Sequence, residues 1–361
     1  MATSTAGFAG RAARGPVGEA RLVTGLVEFA QVYGGLDPGP DGRPPYLAHA
    51  ARAFFLNGGT RLYVARDDGD GEGDGGGGLE AALEALGRVD EIGLVAAPDA
   101  GTWATVEECA AATAALIAHA ERSRFRFALV DAPAASSVDD VRRFRARFDS
   151  GHAALYHPWV VAEAAVDGVG LPPSGFVAGV YARGDEERGV LKPPTGDAVR
   201  GVAGLESVVD RGAQAVLNQE GVNVLRSFEG EGTRLWGART MSSEPEWKYI
   251  NIRRYLLYLE RSLDEGTRWA VFEPNGESLW ATVRQAATDF LDAQWREGSL
   301  MGRRPDDAYF VRCDRTTMTQ DDLDHGRLVA VVGVAPVRPA EFVIVRIGQW
   351  TADAGTSPPV P

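Results

Sequence analysis

The chain has 361 residues, of which 45% are hydrophobic and 24% charged, and this composition is typical of a globular protein with about two domains. Its 37 Lys and Arg against 50 Asp and Glu give a formal net charge of −13, which opposes sequence-independent binding to nucleic acid or to an anionic membrane. Cys109 and Cys313 are too few for a disulfide framework, and no apolar run reaches the roughly 20 residues that span a bilayer. We therefore predict a protein of the cytoplasm with no nucleic-acid partner and no membrane insertion.

The first half of the chain alternates short apolar runs with helical stretches, as α/β domains do. Four runs predict strands over Arg61–Arg66, Ile92–Ala97, Phe125–Asp131 and Ala154–Val161. Helical periodicity predicts helices over Leu79–Leu86 and Val106–Arg122. Because the pattern changes between residues 200 and 230, we place an N-terminal α/β domain at residues 1–215 and an α+β domain at residues 216–349.

The second half predicts two long helices separated by a short strand. Ser243 and Glu246 have the spacing of a capping box, which predicts a helix that runs to about Glu265. A strand over Trp269–Phe272 follows, and Asn275 is then expected to cap the second helix.

Three strands are predicted to end this domain, over Tyr309–Cys313, Arg327–Val334 and the terminal run EFVIVRI of residues 341–347. In the terminal run Phe342 and Ile344 lie on one face, whereas Val343, Val345 and Ile347 lie on the other. Both faces are apolar, so the strand needs cover on both sides, from its own chain or from a neighbour. Residues 350–361 are predicted to be a flexible tail.

One segment suggests an enzyme, because Gly71–Gly76 and Gly73–Gly78 both fit the GxGxxG pattern between a predicted strand and a predicted helix. The same loop, residues 67–78, carries five carboxylates and no basic residue, which would repel a pyrophosphate. We interpret the loop as a solvated linker and keep a nucleotide-dependent α/β enzyme as the alternative. The five histidines form no metal-ligand pattern, and neither lysine lies in a phosphate-binding loop, so we predict no cofactor and no metal.

Five sequence blocks of the second half occur in order: WGART at 236–240, WKY at 247–249, NIRR at 251–254, FEPN at 272–275 and PAEFV at 339–343. This series closely resembles the C-terminal half of contractile tail sheath proteins of bacteriophages and of phage-tail-like injection systems. The segment GPVGEARLVTGLVEFAQVYGG near the start is similar to the N-terminal region of the same family. The resemblance covers most of residues 4–349.

The resemblance implies a structural polymer and not an enzyme. Sheath subunits form stacked hexameric rings around an inner tube and contract to drive the tube through a target envelope. The implied partners are further copies of the chain, the inner tube protein, and baseplate and cap proteins, with assembly in the bacterial cytoplasm. Family members begin with an extended arm that we do not find before residue 4, so a non-contracting paralogue at the cap or baseplate is a second alternative.

The resemblance also assigns expected roles to three sets of residues. The linking strand, by which a subunit completes the C-terminal sheet of its neighbour, is Glu341, Phe342, Val343, Ile344, Val345, Arg346 and Ile347. Motif residues with structural roles are Trp236, Arg239, Trp247, Asn251, Arg253, Glu273 and Asn275. Contacts to the inner tube are expected from the polar face of the helix over residues 276–297, which carries Arg284, Asp289, Asp292 and Arg296.

Overall fold

The fold is a mixed α/β structure, seen in a computed structural model that describes residues 3–39, 42–68, 77–163 and 169–339. Its strands are β1 (Ala6–Arg11), β2 (Ala20–Val23), β3 (Leu62–Asp67), β4 (Leu94–Ala96), β5 (Phe127–Asp131), β6 (Ala153–His157), β7 (Val160–Ala162), β8 (Gly170–Leu171), β9 (Val202–Leu205), β10 (Val222–Phe228), β11 (Gly232–Trp236), β12 (Tyr309–Arg312) and β13 (Val331–Val334). Its helices are α1 (Leu26–Tyr33), α2 (Tyr46–Leu56), α3 (Gly77–Gly87), α4 (Val106–Arg122), α5 (Val138–Arg145), α6 (Ser174–Arg188), α7 (Arg211–Gln219), α8 (Ile250–Gly266), α9 (Glu277–Arg296), α10 (Pro305–Ala308) and α11 (Gln320–Asp324).

The largest sheet has eight strands in the order β11-β10-β6-β5-β4-β1-β3-β2. The six central strands are parallel, and β11 and β2 close the two edges with antiparallel pairings. All five residues of β5 are buried, as expected for a strand with helices on both faces. The predicted strands at 61–66, 92–97 and 125–131 and the two predicted helices of the first half are confirmed within a few residues.

Helices cover both faces of this sheet because alternate residues of its strands point to opposite sides. Phe8 of β1 packs with α1, α2 and α6 in one apolar cluster, whereas its neighbour Ala9 packs with α3, α4, α5 and α7 in another. The first nine residues of α6 are all buried, so this helix lies inside the first layer and not on its surface.

The prediction of one strand over Ala154–Val161 is wrong, because this segment forms two strands in different sheets. Strand β6 belongs to the large sheet, and a cis His157–Pro158 peptide bond precedes β7. Strand β7 is the centre of a three-stranded sheet in the order β8-β7-β9. A hydrophobicity pattern does not register the bend, since residues on both sides of it are apolar and buried.

The large sheet continues beyond residue 215, where the sequence places the end of the first domain. Strand β10 pairs in parallel with β6, and β11 returns antiparallel along β10. Strands β10 and β11, which both follow residue 215, therefore share a sheet with β1. The division into two domains stays a prediction.

The second half differs from the prediction at three helix and strand boundaries. The predicted capping box at Ser243 is wrong, because α8 begins at Ile250 and the Ser243 N–H donates instead to Asp149 Oδ1 at 2.9 Å. The predicted strand at 269–272 is also wrong, since Arg268–Ala270 form a 3-10 helix followed by a turn. The residue before α9 is Gly276, so the predicted cap at Asn275 is wrong as well.

The described chain ends with a two-stranded antiparallel sheet of β12 and β13. The predicted strand at 309–313 is confirmed, whereas only residues 331–334 of the predicted strand at 327–334 form β13. The predicted strand at 341–347 lies outside the described residues, as does the tail at 350–361. Every helix in the described ranges is too short or too polar to cross a membrane.

Candidate assembly surfaces

The WGART block begins at the last residue of β11 and continues as an irregular segment that Asn223 of β10 holds in place. The Asn223 side-chain oxygen accepts a hydrogen bond from the Arg239 N–H at 2.8 Å, and its Nδ2 donates to the Arg239 and Leu155 carbonyls at 2.8 and 3.2 Å. Gly237 has φ of +144°, and a Cβ there would lie 2.8 Å from Asn223 Oδ1. The Arg239 side chain is only 7% exposed and donates to the Gln219 carbonyl, so this motif arginine serves the fold.

Trp247, Asn251 and Arg253 attach the start of α8 to the α/β layer. The Arg253 guanidinium lies 4.7 Å from the centre of the Trp247 ring, and it hydrogen-bonds the His152 ring next to β6. Burial, together with the Arg253 charge, lowers the pKa of His152. Asn251 is 1% exposed and donates to the Leu191 carbonyl at 2.8 Å. These contacts join the WKY and NIRR blocks to each other and to His152 and Leu191.

Asn275 positions the first turn of α9 through side-chain contacts, although it does not cap the helix. Its Oδ1 accepts a hydrogen bond from Trp280 Nε1 at 2.7 Å, and its Nδ2 donates to the Arg327 carbonyl at 3.2 Å. The Glu273 N–H donates to the Ala270 carbonyl, while its carboxylate makes no hydrogen bond within the described residues. Asn275 therefore ties the segment before β13 to α9.

The loop that joins α8 to α9, residues 267–276, presents an apolar tip to solvent. Trp269, Val271 and Phe272 are 46%, 61% and 102% exposed, and Phe272 has φ of +73°. A positive φ is unfavourable for a bulky side chain, and such outliers persist where the surroundings enforce them. The tip borders a groove of about 870 Å³ between α8, α9 and residues 326–332. Exposed apolar groups gathered at one place mark an interaction surface.

The sheet of β12 and β13 has open edges. Tyr309 pairs with Val334 and Arg312 with Val331, and within residues 3–339, as far as they are described, neither strand has a second strand beside it. Phe310 and Val331 are 47% and 42% exposed. Unpaired backbone groups on an edge strand are a template for pairing with another chain.

The four polar residues predicted to face the inner tube lie along α9, and each of them makes an intramolecular contact. Arg284 donates to the Cys313 carbonyl at 3.2 Å, Asp289 accepts from Gln285 at 2.7 Å, and Asp292 pairs with Arg296 at 2.6 Å. Arg284, Asp289 and Arg296 are exposed, and the Asp292 side chain is 23% exposed. Since the helix presents both signs of charge, it suits a partner surface that also carries both.

Trp236 lies at the rim of a second groove, beside the ring of Phe228 at a centre-to-centre distance of 4.8 Å. It is 37% exposed, although the family motif assigns it a structural role. Composition alone offers no signal for this exposure, because a tryptophan at the end of a strand is equally compatible with a core position.

Comparison with known proteins shows the family of this chain. Residues 72–241 match the phage tail sheath protein central domain, and residues 242–349 match the phage tail sheath C-terminal domain. A chain in the contracted helical sheath of the anti-feeding prophage is 32% identical, and the similarity covers 97% of this chain and 94% of that one with a TM-score of 0.82. The chain belongs to the phage tail sheath protein family. A sheath protein is a structural component of a phage tail or tail-like particle and not an enzyme.

Further similar proteins come from a second injection system and from phages. The contracted sheath of the PVC extracellular contractile injection system is 27% identical over 97% of this chain and 92% of its own, with a TM-score of 0.79. The tail sheath protein of Escherichia phage P2 is 25% identical over 228 residues, which are 61% of this chain and 56% of the phage protein. This chain spans only part of the length of the curated phage relatives it matches. The matched region covers 27% of the tail sheath protein of Vibrio phage KVP40 and 56% of the phage P2 protein.

The nucleotide-site hypothesis has no support from this family. Residues 69–76 of the glycine-rich loop lie outside the described residues, and α3 begins at Gly77. Among the residues that the structure does describe, no group of His, Cys, Asp and Glu could hold a metal ion.

Proposed function

We propose that copies of this chain polymerise as stacked hexameric rings around an inner tube and that the sheath contracts to drive the tube through a target envelope. The observation that carries this proposal is the likeness, over nearly the whole of both chains, to the contracted helical sheath of the anti-feeding prophage. The chain is assembled in the bacterial cytoplasm, and its partners are further copies of itself, the tube protein, and baseplate and cap proteins. The contraction needs no nucleotide, because a lattice with two packing arrangements can store the work.

Residues 341–347 link one subunit to the next by adding a strand to the sheet of β12 and β13 in a neighbouring copy. Two features support this link: both outer edges of that sheet are unpaired in the described part of the chain, and the sequence EFVIVRI is apolar on both faces. Backbone hydrogen bonds across the new edge give affinity, and the alternating side chains give register. Such a link can persist while the subunits rotate and slide.

The exposed tip at Trp269, Val271 and Phe272 packs against a neighbouring copy. Its loop is attached to the end of α8, since Trp269 Nε1 donates a hydrogen bond to the Gly266 carbonyl at 2.9 Å. A protruding apolar group that enters a surface elsewhere on the next molecule makes a head-to-tail contact, and repeated contacts of this kind build helical filaments. The tip is therefore a lattice contact in the proposed sheath.

Helix α9 faces the inner tube through Asp289 and Arg296, two exposed residues of opposite charge. Arg284 attaches the helix to the Cys313 carbonyl, and Asp292 forms an ion pair with Arg296 within the helix. Exposed charges of this type steer and register a partner more than they add affinity. Reversal of both charges, by Asp289→Arg with Arg296→Asp, is expected to leave the sheath lattice intact and to lower tube occupancy.

Electron microscopy of the full chain, co-expressed with its tube protein, tests the proposal. We expect striated tubes from the natural chain and none from Val343→Pro with Val345→Pro, since proline removes two donors from one side of the linking strand. The matched variant Val343→Ala with Val345→Ala keeps both N–H groups and should still form tubes. Tubes from the proline variant would refute the linking strand, and separate particles in every sample would refute the sheath.

A second function is a short, non-contracting collar at the baseplate. A chain in the anti-feeding prophage baseplate structure is 31% identical over 97% of this chain, with a TM-score of 0.82. The same micrographs separate the two functions. Single or double rings of fixed height, at every ratio of sheath to tube protein, would assign the collar; tubes that lengthen with the tube would assign the sheath.

A further inference from the structure

A groove of about 800 Å³ lies between α7, the hairpin of β10 and β11, and residues 193–196. One wall is aromatic: the Phe228 and Trp236 rings are 4.8 Å apart, Trp236 is 37% exposed, and Tyr249 lines the same space. This volume and this partly exposed aromatic wall suit a peptide segment of a few residues. None of the contacts assigned above to the linking strand or to the tube involves this groove.

The groove is cationic on a chain whose net charge is −13. Arg211 and Arg226 line it, and no Asp or Glu of the described residues does. Neither arginine has a carboxylate partner in the described part of the chain, and the Arg226 guanidinium instead lies 5.2 Å from the centre of the Phe228 ring. Two guanidinium groups without a carboxylate partner, in a groove lined by two tilted aromatic rings, favour an occupant that brings both a carboxylate and flat apolar groups.

The chain itself carries a segment of this chemistry close to the groove. Pro339, the last described residue, lines the groove. Residues 350–361, WTADAGTSPPVP, combine one carboxylate, one tryptophan and three prolines. In the unassembled chain, where residues 341–347 have not yet joined a neighbour, ten intervening residues at up to about 3.3 Å each give ample reach to return from Pro339 to the groove.

We propose that in the unassembled chain residues 350–361 dock in this groove of the same molecule, with Pro358 and Pro359 against the aromatic wall and Asp353 beside the arginines. Proline-rich segments suit aromatic grooves, because their polyproline II conformation is formed in advance and loses little entropy on binding. A nucleic-acid occupant would also use arginines and stacked rings, but a long polyanion is repelled by the rest of this acidic chain.

Disulfide trapping in the full chain tests this docking without requiring assembly. The pair Gln214→Cys and Ser357→Cys places one thiol in the groove and one in the segment, and the control pair Arg303→Cys and Ser357→Cys uses an exposed site elsewhere. The natural Cys109 and Cys313 are 2% and 0% exposed and react slowly. With oxidised glutathione as the oxidant, we expect the groove pair to close at least tenfold faster than the control pair, as a monomer on a non-reducing gel.

Two further variants test whether disulfide closure depends on the aromatic wall and on the arginines of the groove. Trp236→Ala and Arg226→Glu, each added to the groove pair, should slow closure about tenfold while circular dichroism shows the native fold. Equal rates in the groove and control pairs would overturn the proposal, and a product that is only dimeric would overturn the intramolecular form. Binding of a fluorescent twelve-residue oligothymidine that is lost in Arg226→Glu would overturn it in favour of nucleic acid.

Discussion

Arg254 of α8 and Asp185 of α6 form a bidentate ion pair in which each side chain is only 5% exposed. Arg254 Nη1 lies 2.9 Å from Asp185 Oδ1, and Nη2 lies 2.5 Å from Oδ2. Thr3, at the start of the described chain, joins both partners, since its hydroxyl donates to Asp185 at 2.6 Å and its carbonyl accepts from Arg254 at 3.3 Å. The pair therefore holds the N-terminal segment, the α/β layer and α8 at one point.

Arg254→Ala is expected to lower the free energy of unfolding by about 3 to 5 kcal/mol, because it leaves the Asp185 carboxylate buried without a partner. Urea unfolding of the chain measures this loss. Arg254→Met with Asp185→Leu removes both charges and should recover most of it. The exposed pair of Glu84 and Arg88 provides the control, and Glu84→Ala should change stability by less than about 0.5 kcal/mol. A loss as small for Arg254→Ala as for Glu84→Ala would contradict the structural role of the buried pair.

Two glycines of α6 differ in what surrounds them, and this difference predicts opposite effects of the same substitution. A Cβ on Gly179 would lie 2.5 Å from the Phe54 carbonyl oxygen and 2.6 Å from Asn57 Cβ, so α6 and α2 pack through this glycine. Gly179→Ala is expected to destabilise the fold by about 1 to 3 kcal/mol, despite the better helix propensity of alanine. A Cβ on Gly184 would meet nothing closer than 3.8 Å, so Gly184→Ala should stabilise by about 0.5 to 1 kcal/mol. Thermal unfolding compares the pair, and equal signs would refute this account of the helix contact.

Burial raises the pKa of Asp131, at the end of β5, to about 7, although its Oδ1 accepts a hydrogen bond from the Ser174 N–H at 2.7 Å. The folded chain then binds more protons than the unfolded chain between about pH 4 and pH 7, so this carboxyl makes stability fall as the pH rises through that window. Asp131→Asn keeps the acceptor and removes the titration.

The difference in unfolding free energy between the natural chain and Asp131→Asn should therefore fall by about 1.4 kcal/mol per pH unit across the window. Urea unfolding at pH 4.5, 5.5, 6.5 and 7.5 measures it, and the subtraction cancels contributions from other groups. A flat difference for Asp131→Asn would show that its carboxyl is ionised throughout.

Phe272→Gly separates stability from assembly. Since Phe272 has φ of +73° and is 102% exposed, glycine relieves an unfavourable backbone conformation and removes no packing. The free energy of unfolding of the isolated chain should stay unchanged or rise by about 1 kcal/mol, while tubes counted by electron microscopy should fall sharply. Val208, which is 91% exposed, supplies the matched control, because Val208→Gly should leave tube formation intact. Normal tubes from Phe272→Gly would remove the loop tip from the proposed lattice contacts.

The helices and strands that the sequence predicted well are those whose own residues carry a clear period. Helix α4 runs over Val106–Arg122 as predicted, because an apolar stripe and the Thr105 cap both specify it locally. Strand β5 is a continuous apolar run, which is typical of a strand buried on both faces. The sheath resemblance rests equally on local blocks, and for that reason the family was predictable before any three-dimensional information.

The errors share a physical cause, which is that a partner far along the chain decides the outcome. Ser243 has the spacing of a helix cap, yet its N–H bonds Asp149, and the helix starts seven residues later. Asn275 has the residue type of a cap, yet it bonds Trp280 and the Arg327 carbonyl. Capping preferences are worth about 1 kcal/mol, so a well-placed tertiary partner overrides them.

The sequence by itself determined the family, the acidic net charge and the alternation of the α/β layer, since these follow from composition and from patterns within short segments. Only the tertiary structure decided that β10 and β11 extend the first sheet, that Arg254 meets Asp185 and Thr3, and that Arg226 and Trp236 share a groove. These relationships join residues up to 251 positions apart. No period or spacing encodes such pairs, because they depend on how whole layers pack and on which polar groups that packing leaves to be satisfied.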